Sequence, residues 1–395
     1  MQPCIWSRWE NPEGGINYMA NTQRRPIKVL NALWHLGIGG IEGLLVSVLR
    51  RIDREQFQLD FLVTSQFASY HDATVAEMGA RIVLGKQRIN PWRSQVDLAA
   101  INRRFGPYDV LHCHRHYSGA PLLSAAHRLG IPIRIAHSHA VRAGEGSAPA
   151  RAGFAFARYL TRKHCTHGVA VSRDAARSLF GAGWESDSRI EVLPPATDFA
   201  PFHAPGSRAQ VRNELGIKDD ELLVAHVGMF TDTKNHQFIV QVAKAINQRS
   251  SRFRFVLIGD GPLLHPTSNL VRSEGLADRV LFLGARANVP ELLLAMDAFI
   301  FPSKVEALGL AVVEAQAAGL VCFLSDRVVP EVDIVPELLH RLPLEAGAAV
   351  WAEAILLHSR ARITQAGALN KCLASGLNID TYVERLEQIY ASARH

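Results

Sequence analysis

The chain is poor in cysteine and has no Cys-x-x-Cys pair: Cys4, Cys113, Cys165, Cys322 and Cys372 are scattered through 395 residues. Such spacing argues against a disulfide framework or a structural zinc site, and it fits a reducing, cytoplasmic setting. No secretory apolar segment precedes the first strand pattern; residues 1–24 read as a tail, with Met19 the expected functional start. The longest apolar run, Ala307 to Leu324, is broken by Gly309, Glu314, Gln316 and Gly319, so it reads as a helix followed by a buried strand and no membrane span is expected. Asp-x-Asp occurs nowhere, which removes the usual carboxylate seat for a cation on a diphosphate, and no metal or other cofactor is expected. Basic residues are not interleaved with aromatics, so nucleic acid is not an expected partner.

What is present is ordinary for a soluble globular chain: 48% hydrophobic and 20% charged residues. At about 100 to 200 residues per domain the length calls for two domains. A formal charge of +6, carried almost wholly by arginine, favours an acidic partner such as nucleotide phosphates or an anionic membrane.

Short Val/Ile/Leu-rich runs alternate with stretches of helical period, the pattern of an α/β chain with parallel sheets. Strands are expected at 27–33, 57–63, 81–84, 110–113, 131–136, 168–171 and 190–193, and then at 221–227, 254–258, 280–283, 298–301 and 321–324. Pro194, Pro195, Pro201 and Pro205 separate the two sets. The expected organisation is a tail (1–24), a first Rossmann-like domain (25–199), a linker (200–216), a second Rossmann-like domain (217–376) and a closing helix (377–395) free to pack on either half. Two such sheets facing each other across a cleft bring two ligands together at their strand ends, which suits group transfer.

The chemistry concentrates after the strand ending at Phe301. A loop carrying Glu306 leads to a small-residue helix that starts near Gly309 and carries Glu314. A helix start offers unpaired N–H groups to a phosphate, while carboxylates near it are useful as acceptors from hydroxyl groups. Sugars and ribose supply hydroxyls.

Glu306 and Glu314, spaced as Glu-x7-Glu, preceded by Pro302-Ser303 and followed by Ala315-x-Ala317-x-Gly319, resemble the hallmark of the retaining GT-B glycosyltransferases of group 1, family 4. The segments RIAHSHA (134–140), EAQAAG (314–319) and LSDRVVPEV (324–332) are similar to the branch that builds bacterial exopolysaccharide and capsule. The resemblance implies a GT-B fold and transfer of a sugar from a nucleotide diphosphate sugar, UDP preferred, to a saccharide or lipid-linked hydroxyl acceptor. It further implies retention of configuration without a metal.

Position by position, it implies that Glu306 contacts the donor sugar, Glu314 the ribose hydroxyls, and Lys234 the diphosphate, whose developing charge needs a fixed cation. The amides of Leu308, Gly309 and Leu310 assist. Gly39 and Gly40 correspond to the glycine loop on the opposite side of the cleft, where a Cβ would block backbone approach. His114 corresponds to a histidine near the reacting sugar. Gly228, Gly259, Gly261 and Arg286 with Gly284 correspond to loops around the donor.

The chain departs from that pattern at three places. Met229 stands where an arginine usually follows Gly228, with Lys304 or Arg327 as candidate replacements; Leu193 to Asp198 differs from the usual linker entry; and Ala307 replaces a glycine. His112, His114, His116, His137 and His139 form a possible metal cluster, but without carboxylates or cysteines at ligand spacing none is expected to be held. Arg142, Arg151, Arg158, Arg162 and Lys163 line a basic segment that either lies on an anionic membrane or is a solvated face. Two other functions use the same fold: a nucleotide-sugar epimerase and a non-catalytic nucleotide-sugar-binding protein.

Overall fold

The computed structural model describes residues 25–37, 39–65, 67–86, 91–139, 147–203, 208–306, 308–359 and 363–394. The tail with Met19, Arg142 and Ala307 lie outside the described residues.

Two parallel sheets account for the strand pattern. The first holds β1 (Ile27–Ala32), β2 (Phe57–Val63), β3 (Arg81–Leu84), β4 (Val110–Cys113), β5 (Ile133–Ser138), β6 (His167–Ala170) and β7 (Ile190–Val192). The second holds β8 (Leu222–Val227), β9 (Phe253–Ile258), β10 (Val280–Gly284), β11 (Ala298–Phe301), β12 (Val321–Ser325) and β13 (Leu339–Leu342). Their orders are β3-β2-β1-β4-β5-β6-β7 and β10-β9-β8-β11-β12-β13, all pairs parallel. The central strands read as unbroken apolar runs because both faces are covered. In β1, Val29 enters one core cluster and Leu30 the cluster on the other side.

Two details differ from the sequence reading. β5 runs two residues later than expected, because Pro132 cannot donate to the ladder; the shift carries the strand on to His137 and Ser138. β13 was not expected: Leu-His-Arg-Leu is short, polar and half-buried along its length, as befits an edge.

The chain passes between the halves twice, and the passages touch. Thr197 pairs with Asn378 in a parallel bridge. Phe199 and Phe202 belong to the core of the second half. The helix Ile379–Ala391 returns to the first half, where Tyr382, Leu386 and Tyr390 join Val29, Val110 and Ile135. Among the described residues no helix is long and apolar enough to cross a membrane.

Candidate functional site

In each sheet the strand order reverses once, between β1 and β4 and between β8 and β11. Crevices at the carboxyl ends of such strands are where open α/β sheets bind ligands. The expected site residues gather at these two points.

In the second half β8 ends at Val227, and a short turn, Asp232–Lys234, leads to Asn235 in the left-handed region (φ 58°). Asn235 Nδ2 donates to the Pro302 carbonyl at 3.2 Å, tying this turn to the loop after β11. Lys234 Nζ thereby reaches Glu306 Oε1 at 2.5 Å and lies 4.5 Å from the centre of the Phe301 ring. The two expected reaction-centre residues of this half thus meet in one ion pair, both side chains mostly buried.

Gly228, Gly259 and Gly261 form a backbone stack beside them. Gly259 has φ 144°, and a Cβ there would sit 2.0 Å from the Gly228 carbonyl oxygen. Gly261 has φ 150°, and a Cβ there would sit 2.8 Å from the Phe230 backbone nitrogen and oxygen. Glycine is required at both for the fold itself. Leu308 is buried, Gly309 is left-handed (φ 89°), and Leu310 opens the helix Leu310–Ala317. Glu314 sits in that helix, where burial alone pushes its carboxyl up to about 7; no side-chain bond holds it among the described residues. Arg286, after β10, is exposed and unbonded among the described residues.

The proposed replacements for the missing arginine are already committed. Lys304 pairs with Asp232 at 2.7 Å and Arg327 with Glu345 at 2.9 Å, both at exposed positions. Met229 itself is half-exposed. Lys234 is therefore the one buried cation at this strand switch among the described residues.

In the first half, Gly39 precedes the helix Gly40–Arg51 in extended conformation. Among the described residues, a Cβ on Gly39 would meet first the flexible Glu42 side chain, and one on Gly40 nothing within 4 Å. The fold does not demand these glycines, unlike Gly259 and Gly261.

His114 is buried and both its nitrogens are engaged: Nδ1 with His139 Nε2 at 2.8 Å, Nε2 with Asn31 Oδ1 at 3.3 Å. His139, its partner, is only part-buried, and its Nδ1 has no bond among the described residues. Behind them, Tyr390 Oη meets His112 Nδ1 at 2.8 Å, and His112 Nε2 meets His137 Nδ1 at 3.0 Å. His137 stacks on His139 with centroids 3.9 Å apart. Burial and mutual repulsion hold His112 and His139 down at about 3, and His114 and His137 well below the usual value, so all four are neutral near pH 7. Nitrogens of His112, His114 and His137 lie within 4.8 Å of one another; hydrogen bonds engage those of His112 and His114 and Nδ1 of His137, while His137 Nε2 is buried with no partner among the described residues.

The sequence reading missed the wall facing Glu306. A cavity of about 270 Å³ is lined by Ser172, Arg173, Arg177 and Glu185 of the first half and by Glu306, Val329 and Glu331 of the second. Ser172 caps the helix Arg173–Phe180 by accepting from Ala175 N, fixing that helix at the end of β6. The strand-end rule applied to β6, followed by Ser-Arg-Asp, was the signal available.

The basic helix Ala148–His164 also differs from expectation. Arg158 turns inward to the Ser178 carbonyl at 3.2 Å and Arg162 toward Asp187 at 3.4 Å, leaving Phe156, Tyr159 and Lys163 outward.

Comparison with known proteins meets this geometry. The family model "Glycosyltransferase Family 4" matches residues 38–200 and "Glycosyl transferases group 1" matches 207–357. EpsF of Bacillus subtilis (strain 168), named as a glycosyltransferase, is 32% identical over 341 residues, covering 85% of this chain and 88% of its own. The chain belongs to the group 1 glycosyltransferases. The Escherichia coli UDP-Gal:alpha-D-GlcNAc-diphosphoundecaprenol alpha-1,3-galactosyltransferase is 24% identical to this glycosyltransferase over 73% of the chain and 76% of its own length. The crystal structure of HepE from Anabaena in complex with UDP and glucose superposes with a TM-score of 0.75 at 17% identity, covering 93% of this chain and all of that one. The GT-B fold, two Rossmann-like sheets, is thus common to both.

Proposed function

We propose that the protein transfers a hexosyl group from a UDP-sugar to a hydroxyl of a lipid-linked saccharide in exopolysaccharide assembly, with retention at the anomeric carbon and without a metal. The observation that carries the reading is the Lys234–Glu306 pair at 2.5 Å, which sits at the strand switch with the Gly228–Gly259–Gly261 backbone beside it. UDP is supported by the donor of the Escherichia coli relative and the ligands of HepE, and a diphospholipid acceptor by the former. Exopolysaccharide assembly rests on the sequence resemblance and the EpsF relative.

In this reading the donor diphosphate lies over the glycine stack, and Lys234 supplies the positive charge that the leaving group needs. Glu306 releases part of its hold on Lys234 to accept from a sugar hydroxyl. Glu314, ionised on binding, accepts from the ribose, and the Leu308, Gly309 and Leu310 amides and Arg286 complete the donor side. His139 offers a neutral ring nitrogen to the transferring sugar from across the cleft, with Gly39 and Gly40 leaving room for the phosphates. The acceptor oxygen attacks on the face from which the diphosphate departs, the phosphate taking its proton, so no enzymic nucleophile is needed. Closure of the two halves aligns the substrates and excludes water. Outward Phe156, Tyr159 and Lys163 bring the first half to an anionic membrane on the cytoplasmic side, where the lipid acceptor resides; nucleic acid is no partner.

The test is turnover of a panel of UDP- and GDP-sugars with extracted lipid-linked acceptor, the anomeric configuration of the product being read by NMR. Product with retained configuration from a UDP-sugar is expected. An epimerised nucleotide sugar, an inverted product, or binding without turnover under every acceptor overturns the reading.

A further inference from the structure

Asn31, at the end of β1, is fully buried, and its amide nitrogen has no partner among the described residues while its oxygen lies 3.3 Å from His114 Nε2. The two amide orientations have the same shape but opposite hydrogen-bonding character. With the oxygen toward His114, Nε2–H of His114 donates, its Nδ1 accepts from His139 Nε2–H, and His139 is left with a bare Nδ1. With the nitrogen toward His114, His114 Nε2 accepts, its Nδ1–H donates to His139 Nε2, and His139 carries its proton on Nδ1. The second arrangement replaces a buried, orphaned N–H with an under-satisfied carbonyl, which is the less costly of the two.

We propose that Asn31 is a positioning residue that, through His114, places the proton of His139 on Nδ1 and so presents a hydrogen-bond donor to the transferring sugar. The proposal rests on the reading of His139 given above. Two features make the relay decisive. His139 Nε2 is bonded to His114 at 2.8 Å and to nothing else among the described residues, so its protonation follows that of His114 Nδ1. All members of the string are neutral, so what varies at the site is the tautomer and not the charge. The second string, Tyr390–His112–His137, touches His139 only through ring stacking and leaves this choice to Asn31.

Two-bond proton–nitrogen correlation spectra of protein labelled at the imidazole nitrogens, with the His139 signals assigned by their loss in His139→Gln, read the tautomer directly. The expected result is a proton on Nδ1 of His139 in the wild type. In Asn31→Leu, which removes the amide donor at similar size, the ratio of the Nδ1–H to the Nε2–H form falls by up to about tenfold, the worth of one neutral hydrogen bond. Turnover falls with it while the KM for the UDP-sugar stays within about twofold, a split that a merely structural role would not produce. A wild-type proton on Nε2, or an unchanged ratio in Asn31→Leu, overturns the proposal; should that variant not fold, the wild-type spectrum alone decides. Full turnover by His139→Gln would instead sink the reading of the site, and the spectrum would still report the tautomer.

Discussion

Lys234 and Glu306 belong to loops after two neighbouring strands, β8 and β11, and close to 2.5 Å where the strand order of the second sheet reverses. Each holds the other in place: the carboxylate keeps the ammonium over the Phe301 ring, and the ammonium makes a largely buried carboxylate tolerable. On the proposed reading, a diphosphate entering this site competes for Lys234 and frees Glu306 for a sugar hydroxyl, so donor arrival and exposure of the sugar-binding group would be one event.

Lys234→Met removes the cation while keeping much of the bulk. Turnover is expected to fall about 100- to 1000-fold, the usual worth of one fixed group that stabilises developing charge. Met229→Arg supplies the cation missing beside Gly228 and is expected to tighten UDP binding by about tenfold with no gain for uridine. Titration calorimetry with both ligands checks this; an equal effect on uridine would show that the new side chain does not meet phosphate.

Glu314 ties stability and donor affinity to pH in opposite directions. Its carboxyl moves from the usual 4.5 up to about 7 on folding, so the folded state binds more protons than the unfolded one between those values. Stability is therefore lost as pH rises through that window, by up to about 3 kcal/mol, and Glu314→Gln escapes the loss. The melting temperature of the wild type should fall relative to that variant between pH 5 and 8. If the ionised carboxylate accepts from ribose, as proposed, UDP-sugar affinity should rise over the same range in the wild type and not in the variant. Parallel melting profiles would refute the burial argument.

Two glycine substitutions separate fold from function. Gly259→Ala forces a Cβ to within 2.0 Å of the Gly228 carbonyl at φ 144° and is expected to cost roughly 2 to 5 kcal/mol. Gly40→Ala meets nothing within 4 Å and lies in a helix, so it should keep or raise the melting temperature by the propensity gain of up to about 1 kcal/mol. If the phosphates approach this turn, that well-folded variant binds UDP-sugar more weakly. Undiminished affinity would remove the glycine turn from the donor site.

Arg173 and Arg177 line the cavity opposite Glu306 from exposed positions, so their loss should leave the melting temperature unchanged. Arg177→Gln and Arg173→Gln are expected to raise the acceptor KM about tenfold with the donor KM untouched. A rise in the donor KM alone would assign this wall to the donor.

The two-sheet architecture was legible because buried parallel strands announce themselves as apolar runs, and twelve of the thirteen did so; β13 was too short and polar to register. Glu306, Lys234 and Gly259 were legible as motif positions at strand ends. The pairing of Lys304 and Arg327 with nearby acids was not, since exposed ion pairs leave no trace in spacing.

Periodicity and motif together define strands, helices and the loops that carry chemistry, because those signals are local and each residue reports its own burial. Which loops face one another is a property of strand order, and strand order is settled by long-range packing. Only in three dimensions does β4 come to lie against β1, bringing Asn31 to His114, and does the final helix cross back to set Tyr390 on His112. The same packing decides that His114 is engaged on both sides while His139 keeps a nitrogen open, since a hydrogen bond between residues far apart in the chain has no signature in either residue's neighbours.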